Sequence, residues 1–187
     1  DLHREGGRRD LGVEPDLSHR HRPGRRQARC ERREVERLVG DLLDLARFEA
    51  GGISLAQESV DVAELFERVS ERHANTANDK QVSIVIAPLD EDLRLVGDPM
   101  RIEQALQNLA ANALRHTPPN GVIRLGAERD AGRIRLTVSD NGIGIPAEHL
   151  PHVFDRFYKA DRSRSQSGSG LGLSIVKAII ERHGGTV

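Results

Sequence analysis

The stretch SGSGLGLSIVKAIIERHGG, residues 167–185, places three glycines at alternate positions directly before an apolar helical pattern. The apolar residues that follow have helical spacing, at positions 171, 175, 178 and 179, and a glycine pair ends the pattern. Glycine weakens local order, so Gly168, Gly170 and Gly172 indicate that bare backbone must approach a partner closely. A phosphate at a helix N-terminus is such a partner, although neither a P-loop nor a Rossmann spacing is present. The stretch therefore needs support from other motifs.

Composition limits the possible functions. The chain has 187 residues, a single cysteine and a formal net charge of −1. This charge gives no general attraction to nucleic acid, so none is expected as a partner. One cysteine excludes an internal disulfide and a cysteine-rich metal site, and it favours a reducing compartment. No apolar run reaches the roughly 18 residues that would suggest a membrane span, so we expect a cytoplasmic portion of a protein.

The chain divides into three parts. Residues 1–33 are rich in Arg and Gly without an apolar period, which predicts a largely disordered, solvated segment. Residues 34–54 carry a short heptad seam that predicts a bundle-forming or dimer-forming helix, with a core helix of a single domain as the alternative. Residues 55–187 contain the remaining patterns.

Residues 55–187 predict an α+β fold. A helix capped by Asp61 is followed by strands at 81–87 and 93–97, and then by a helix at 99–115 capped by Asp98. Two further strands form a hairpin across 129–132, and the last helix follows a long loop. This order predicts a two-layer α/β sandwich with one sheet covered by helices on one face.

Two asparagines, Asn108 and Asn112, lie one helical turn apart beside the apolar stripe of the third predicted helix. Asparagine forms helices poorly, and a half-buried amide needs partners. Their side-chain oxygens suit a hard cation such as Mg²⁺ together with phosphates. Two solvated asparagines remain the alternative.

The segment SDNGIGIP, residues 139–146, ends a well-alternating strand with a carboxylate, Asp140. A hairpin turn is one interpretation, because Asp-Asn-Gly is a strong turn signal. No return strand follows, however, and Gly144 and Pro146 stay unexplained by it. A carboxylate backed by glycines suits a ring that carries an amino group, such as adenine.

The segment VFDRFYKADRSRSQSGSG concentrates aromatic and basic residues ahead of the glycine stretch. Its aromatic residues are Phe154, Phe157 and Tyr158, and Lys159 follows them. One interpretation is a mobile loop anchored by aromatics. The other is a lid that offers cations to phosphates.

Taken together, N-L-x-x-N on a helix, D-x-G-x-G after a strand, F-x-R-F-Y in a loop and G-x-G-x-G before a helix resemble the ATP-binding domain of sensor histidine kinases. The wider superfamily includes gyrase-type ATPases and a heat-shock chaperone. The resemblance covers residues 55–187. The segment VERLVGDLLDLARFEAG is similar to the second helix of the dimerisation hairpin of that family, which extends the resemblance back to residue 34.

The resemblance implies a set of nucleotide contacts. Asn112 with Asn108 would bind Mg²⁺, Arg115 and His116 would contact phosphate or ribose, and Asp140 would accept from the adenine amino group. The remaining ATP-site residues that it implies are Gly142, Gly144, Tyr158, Lys159, Gly168, Gly170, Leu171, Gly172 and Leu173. It also implies a response-regulator receiver domain as partner, a homodimer through a complete hairpin, and a membrane-anchored parent protein.

The sequence departs from the family at both ends. The phosphoacceptor motif is matched only by Ser18-His19, with Arg20 in place of an acidic residue, so His19 is a weak phosphoacceptor candidate. The family also continues through two further strands, so we expect a C-terminally truncated catalytic domain. Two other functions remain open: a serine-type kinase or ATPase of the same superfamily, or a fragment that only binds nucleotide or dimerises.

Overall fold

The computed structural model describes residues 25–50, 52, 54–90, 92–160 and 168–187. The described residues fall into two units, 25–36 and those from 37 to 187. A long helix, α1, runs over Arg25–Glu49. It corrects the expectation of disorder up to residue 33, because residues 25–33 are already helical. Arg, Gln, Ala and Glu dominate that stretch and all favour a helix, and Arg32 pairs with Glu36 at 2.8 Å one turn later.

The strands form two sheets within the described residues. β1 (Glu58–Asp61) pairs antiparallel with β3 (Arg94–Gly97) in a two-stranded sheet. β2 (Ser83–Ile86) pairs parallel with β4 (Val122–Asp130), which pairs antiparallel with β5 (Arg133–Asp140). The expectation of one sheet is therefore wrong. The sequence did not predict β1, because its four residues end at the helix cap Asp61 and are too few to show an alternating pattern.

Three further helices follow α1: α2 (Val62–Asp79), α3 (Pro99–His116) and α4 (Gly172–Arg182). Helices α2 and α3 pack on the sheets, and α4 packs on α3. The two predicted caps are confirmed. The Asp61 side chain accepts from the N–H groups of Ala63 and Glu64, and the Asp98 side chain accepts from that of Arg101. Among the described helices, none has the length and apolar character needed to cross a membrane.

Two apolar clusters position the site. The larger one packs α2 and α3 on the sheets and includes the fully buried Leu65, Phe66 and Leu125. The second joins α3 to α4 and takes in Leu45 and Phe48 from the end of α1. Residues 37–187 consequently form one compact unit, while the division into a helical segment 34–54 and a domain 55–187 stays a prediction. The burial of Leu45 and Phe48, which are 4% and 3% exposed, is the physical reason for this unit.

Candidate functional site

One flank of α3 carries three of the predicted site residues. Asn108, Asn112 and Arg115 lie at positions i, i+4 and i+7, so their side chains project from the same side of the helix. Asn108 and Asn112 are half-buried and Arg115 is exposed. Two further segments, distant in sequence, meet this flank.

The glycine segment meets both ends of the flank. A Cβ at Gly172 would lie 3.4 Å from Asn108 Oδ1, and a Cβ at Gly168 would lie 3.2 Å from Arg115 Cζ. Bare backbone therefore passes directly beside the amide and the guanidinium. Helix α4 begins at Gly172, and in the part of the chain that the structure describes no side chain caps its N-terminus. Free N–H groups at a helix start favour an anion.

The Asp140 segment meets the C-terminal end of α3. Asp140 lies opposite Ile123 at the end of β5, and its Oδ1 accepts from the Gly142 N–H at 2.9 Å. A Cβ at Gly142 would lie 2.5 Å from the His116 carbonyl oxygen. The Ile143 N–H also donates to that oxygen, at 3.3 Å. The carboxylate is thus held next to the last turn of α3.

The segment 140–142 does not form a hairpin turn. Asn141 instead returns to the start of β4, where its Oδ1 accepts from the Val122 N–H at 2.8 Å and its own N–H donates to the Val122 oxygen at 3.3 Å. The chain then continues through Gly144, which has a φ of +71°, towards a 3₁₀ turn at Leu150–His152. The turn interpretation is therefore wrong for this segment.

The surroundings of His116 lower the pKa of its imidazole. Burial is the main cause that lowers its pKa below the ordinary value, and the positive charge of Arg115 lowers it further. The negative charge of Asp140 acts in the opposite direction. A neutral imidazole at this position can donate from one nitrogen and accept at the other.

The aromatic segment meets the glycine segment at Gly170. The Phe157 N–H donates to the Gly170 oxygen at 2.9 Å, and a Cβ at Gly170 would lie 2.7 Å from the Phe157 carbonyl carbon. The next residue, Tyr158, is half-buried, and its hydroxyl lies 2.7 Å from Nδ1 of His149. Lys159 is exposed. Together with His149 and Ala160, these residues line a cavity of about 600 Å³.

The remaining predicted residues lie further from these contacts. Leu171 is fully buried in the cluster shared by α3 and α4, whereas Leu173 is half-buried. Phe154 lines a second cavity of about 590 Å³ with Leu45 and Phe48. His19 and residues 161–167, the remainder of the predicted lid, fall outside the described residues.

Sequence reasoning missed two histidine contacts. His149 lies nine positions before Tyr158, in a segment without periodic pattern that could have indicated the pairing. His183 follows the end of α4, as expected of a helix-end residue, but its Nε2 also accepts from the Asp98 N–H at 3.0 Å. That bond ties the end of α4 to the start of α3.

The combined arrangement is suited to a ligand with an amino-bearing ring and a polyphosphate. A carboxylate acceptor lies at one end of the α3 flank. Amide oxygens, a guanidinium and bare backbone lie along the rest. The groups of the glycine segment are complementary to negative charge, and the carboxylate is complementary to a hydrogen-bond donor.

Comparison with known proteins also indicates a domain that binds such a nucleotide. A family model described as Histidine kinase-, DNA gyrase B-, and HSP90-like ATPase matches residues 97–187. The sensor protein DivL of Caulobacter vibrioides is 41% identical over 155 residues, which are 82% of this chain and 20% of DivL. The chain thus spans only about a fifth of the length of that curated relative.

Solved structures agree in fold over most of the chain. Full-length ShkA in complex with AMPPNP is 30% identical with a TM-score of 0.72, covering 87% of this chain and 35% of ShkA. The catalytic domain of histidine kinase ThkA is 30% identical with a TM-score of 0.61, covering 70% of this chain and 82% of that domain. The chain therefore belongs to the family of histidine kinase catalytic domains, within the histidine kinase-, DNA gyrase B- and HSP90-like ATPases.

Proposed function

We propose that residues 55–187 bind ATP as the catalytic domain of a sensor histidine kinase. The whole protein would transfer the γ-phosphate to a histidine and relay it to an aspartate on a response-regulator receiver domain. The observation that carries the proposal is the meeting of the Asp140 segment and the glycine segment on one flank of α3. ShkA is solved with an ATP analogue, and ThkA is solved with the response regulator protein TrrA, which supports both halves of the proposal by analogy.

Each end of the α3 flank takes one end of the nucleotide. Asp140 accepts from the adenine amino group, Gly142 lets its segment pack against the His116 carbonyl, and Gly144 leaves room for the base. His116, at the last turn of α3, contacts the ribose or the first phosphate. Arg115, Lys159 and the backbone of 168–172 bind the phosphates, with the uncapped start of α4 adding its N–H groups. Leu171 and Leu173 hold that backbone on the protein.

Asn108 and Asn112 fit a Mg²⁺ site. In the described residues no group of three or more His, Cys, Asp or Glu could hold a metal, so the ion would depend on amide oxygens, phosphates and water. The absence of a side chain at Gly172 leaves Asn108 Oδ1 unobstructed on that side. Bound Mg²⁺ would neutralise phosphate charge, while the chain itself contributes positioning and cations.

The phosphoacceptor histidine is expected to lie outside this domain. His19 lacks the acidic neighbour that would act as base, and Pro23 and Gly24 disfavour a continuous helix after it. Incubation of the chain with Mg-ATP should leave His19 without an acid-labile phosphoramidate. A label on His19 that disappears in His19→Ala would contradict this expectation.

Two further proposals concern the rest of the protein. Residues 34–54 would form the second helix of a dimerisation hairpin, since Val39, Leu42 and Leu43 are exposed on α1. Resemblance to sensor kinases also supports a cytoplasmic domain in a membrane-anchored parent. Fractionation of cells that express the full-length gene product would test the second point, and its recovery only in the soluble fraction would contradict it.

Titration with a fluorescent ATP analogue in Mg²⁺ buffer tests the ATP site. Asp140→Asn should weaken binding by about 10-fold or more. The substitution replaces one acceptor oxygen of the carboxylate by an NH₂ donor, which cannot accept from the adenine amino group. Asp90→Asn changes an exposed aspartate in a loop and is the matched control. Saturable binding that is identical in the parent and in Asp140→Asn would reject the assigned site, and no binding by a folded parent would reject the function.

A further inference from the structure

We infer that His149 is a positioning residue of the nucleotide site, which holds Tyr158 and thereby the backbone that carries Lys159. This inference rests on the proposed ATP-binding function. It adds a residue that belongs to none of the four sequence motifs.

Two histidines fix the ring of Tyr158. The Tyr158 hydroxyl lies 2.7 Å from His149 Nδ1, and the side chain of His149 is only 23% exposed. The phenol ring also contacts both imidazoles, with centroid distances of 6.0 Å to His149 and 5.4 Å to His152. The hydrogen bond joins partly buried groups, and the Tyr158 ring contacts two imidazoles. Both interactions restrict the rotamers of Tyr158.

The bond closes a loop made of consecutive turns. The His152 N–H donates to the His149 oxygen at 2.9 Å, the Asp155 N–H donates to the His152 oxygen at 2.9 Å, and the Tyr158 N–H donates to the Asp155 oxygen at 3.3 Å. Asp155 also pairs with His152 Nδ1 at 2.9 Å. His149 stands at the first turn and Tyr158 at the last, so their side-chain contact joins the two ends of the loop.

The closed loop touches the glycine segment directly. Phe157 donates to Gly170 through its backbone, and a Cβ at Gly170 would lie 3.0 Å from the Tyr158 oxygen. Two residues further along, Gly172 lies beside Asn108. A displacement of Tyr158 therefore moves the backbone of 157–159 relative to the proposed phosphate-binding residues.

Lys159 depends on the same contact. It follows Tyr158, is exposed, and lines the cavity of about 600 Å³ with His149, Phe157, Tyr158 and Ala160. Without the histidine contact, the free loop has more conformations, and nucleotide binding must restrict them. This larger loss of conformational entropy lowers the affinity for the nucleotide. His149 thus acts on the nucleotide through Tyr158 and Lys159 rather than by touching the reacting atoms.

The first experiment needs no nucleotide. Tyr158 is the single tyrosine and the chain has no tryptophan, so tyrosine emission reports on this residue alone. Acrylamide should quench that emission about twofold more efficiently in His149→Leu than in the parent, because the ring loses its partner. His149→Asn places an amide near the position of Nδ1 and should restore the parent value. Equal quenching in parent and His149→Leu would overturn the inference.

The second experiment measures affinity for the Mg-ATP analogue. His149→Leu and Tyr158→Phe should each weaken binding about fivefold, and the double variant should be no weaker than either single one, because both remove one bond. His149→Asn should retain most of the affinity. Asp90→Asn, at an exposed aspartate in another loop, is the control and should bind as the parent does.

The outcomes separate the two proposals. Parent-like binding by His149→Leu, or additive losses in the double variant, would overturn the role of His149 and leave the ATP site intact. A folded parent that fails to bind the analogue would overturn the ATP-binding function together with this inference. A loss shared by Asp90→Asn would also overturn the role of His149, since the effect would then not depend on the Tyr158 contact.

Discussion

Phe157 and Gly170 face each other with left-handed backbones, at φ values of +60° and +70°. Such a conformation is strained for phenylalanine and free of cost for glycine. The strain at Phe157 is tolerated because its N–H donates to Gly170 and the two backbones are in contact. At the scale of single residues, the glycine motif is therefore a packing requirement between two loops, in addition to its proposed role in phosphate binding.

Replacement of Gly170 by alanine tests this packing. The new Cβ would lie 2.7 Å from Phe157, and the positive φ adds backbone strain, so the free energy of unfolding should fall by about 2 kcal/mol. Gly132→Ala is a matched control, because Gly132 has a φ of +81° but nothing within 4 Å of its Cβ position. Urea denaturation measures both variants. If the loss of unfolding free energy in Gly170→Ala were no larger than that in Gly132→Ala, the contact between Gly170 and Phe157 would not contribute to stability.

Helix α1 presents two apolar faces along its length. One face carries Leu45 and Phe48, which are buried against α3 and α4. Two polar contacts stabilise the packing of this face on α3. Asp44 forms a salt bridge with Arg101 at 2.9 Å, and the Arg101 guanidinium lies 5.2 Å from the centre of the Phe48 ring. The other face leaves Val39, Leu42 and Leu43 exposed by 50%, 43% and 52%. An apolar stripe on a helix with one face already packed is typical of a helix that pairs with another chain.

Introduction of a charge on the exposed stripe should prevent self-association. We expect the parent to be a dimer by light scattering, and Leu43→Glu to be a monomer, because an unpaired carboxylate is costly to bury. Met100→Glu introduces the same residue at an apolar side chain of α3 that is 80% exposed, away from the stripe, and should stay dimeric. A parent that is monomeric at every concentration tested would contradict the dimerisation proposal.

At the scale of the whole molecule, two half-buried histidines make the free energy of unfolding depend on pH. Burial is the main cause that lowers the pKa of His73, whose Nε2 is buried, and of His116 below the ordinary value of 6.5. A lowered folded pKa means that the unfolded chain binds protons first as the pH falls. The contribution of both groups to the free energy of unfolding is therefore fully present above about pH 6.5, and it is lost progressively as the pH falls below that value.

Urea denaturation from about pH 7.5 to about pH 5.5 measures this dependence. The midpoint should fall with pH in the parent, and His73→Gln should flatten the slope because one proton-binding group is removed. Glu67→Gln, at an exposed position of the same helix α2, is the control, because the ordinary pKa of glutamate lies below this pH range. A parent midpoint that is constant, or that rises as the pH falls, would contradict the burial argument.

The sequence by itself determined the local elements and the identity of the motifs. Periodic apolar residues and the caps Asp61 and Asp98 fixed α2 and α3, and alternation fixed the hairpin of β4 and β5. These signals depend on neighbours along the chain, which a pattern can display. The four nucleotide motifs were recognisable for the same reason, because each is short and contiguous.

Only the tertiary structure decided how distant segments meet. The pairing of β1 with β3, the burial of Leu45 and Phe48, and the contact between His149 and Tyr158 leave no periodic trace in the sequence. Each depends on which surfaces come together when apolar area is buried, and that choice is made by the fold as a whole. The same process brings the glycine segment and Asp140 to one flank of α3.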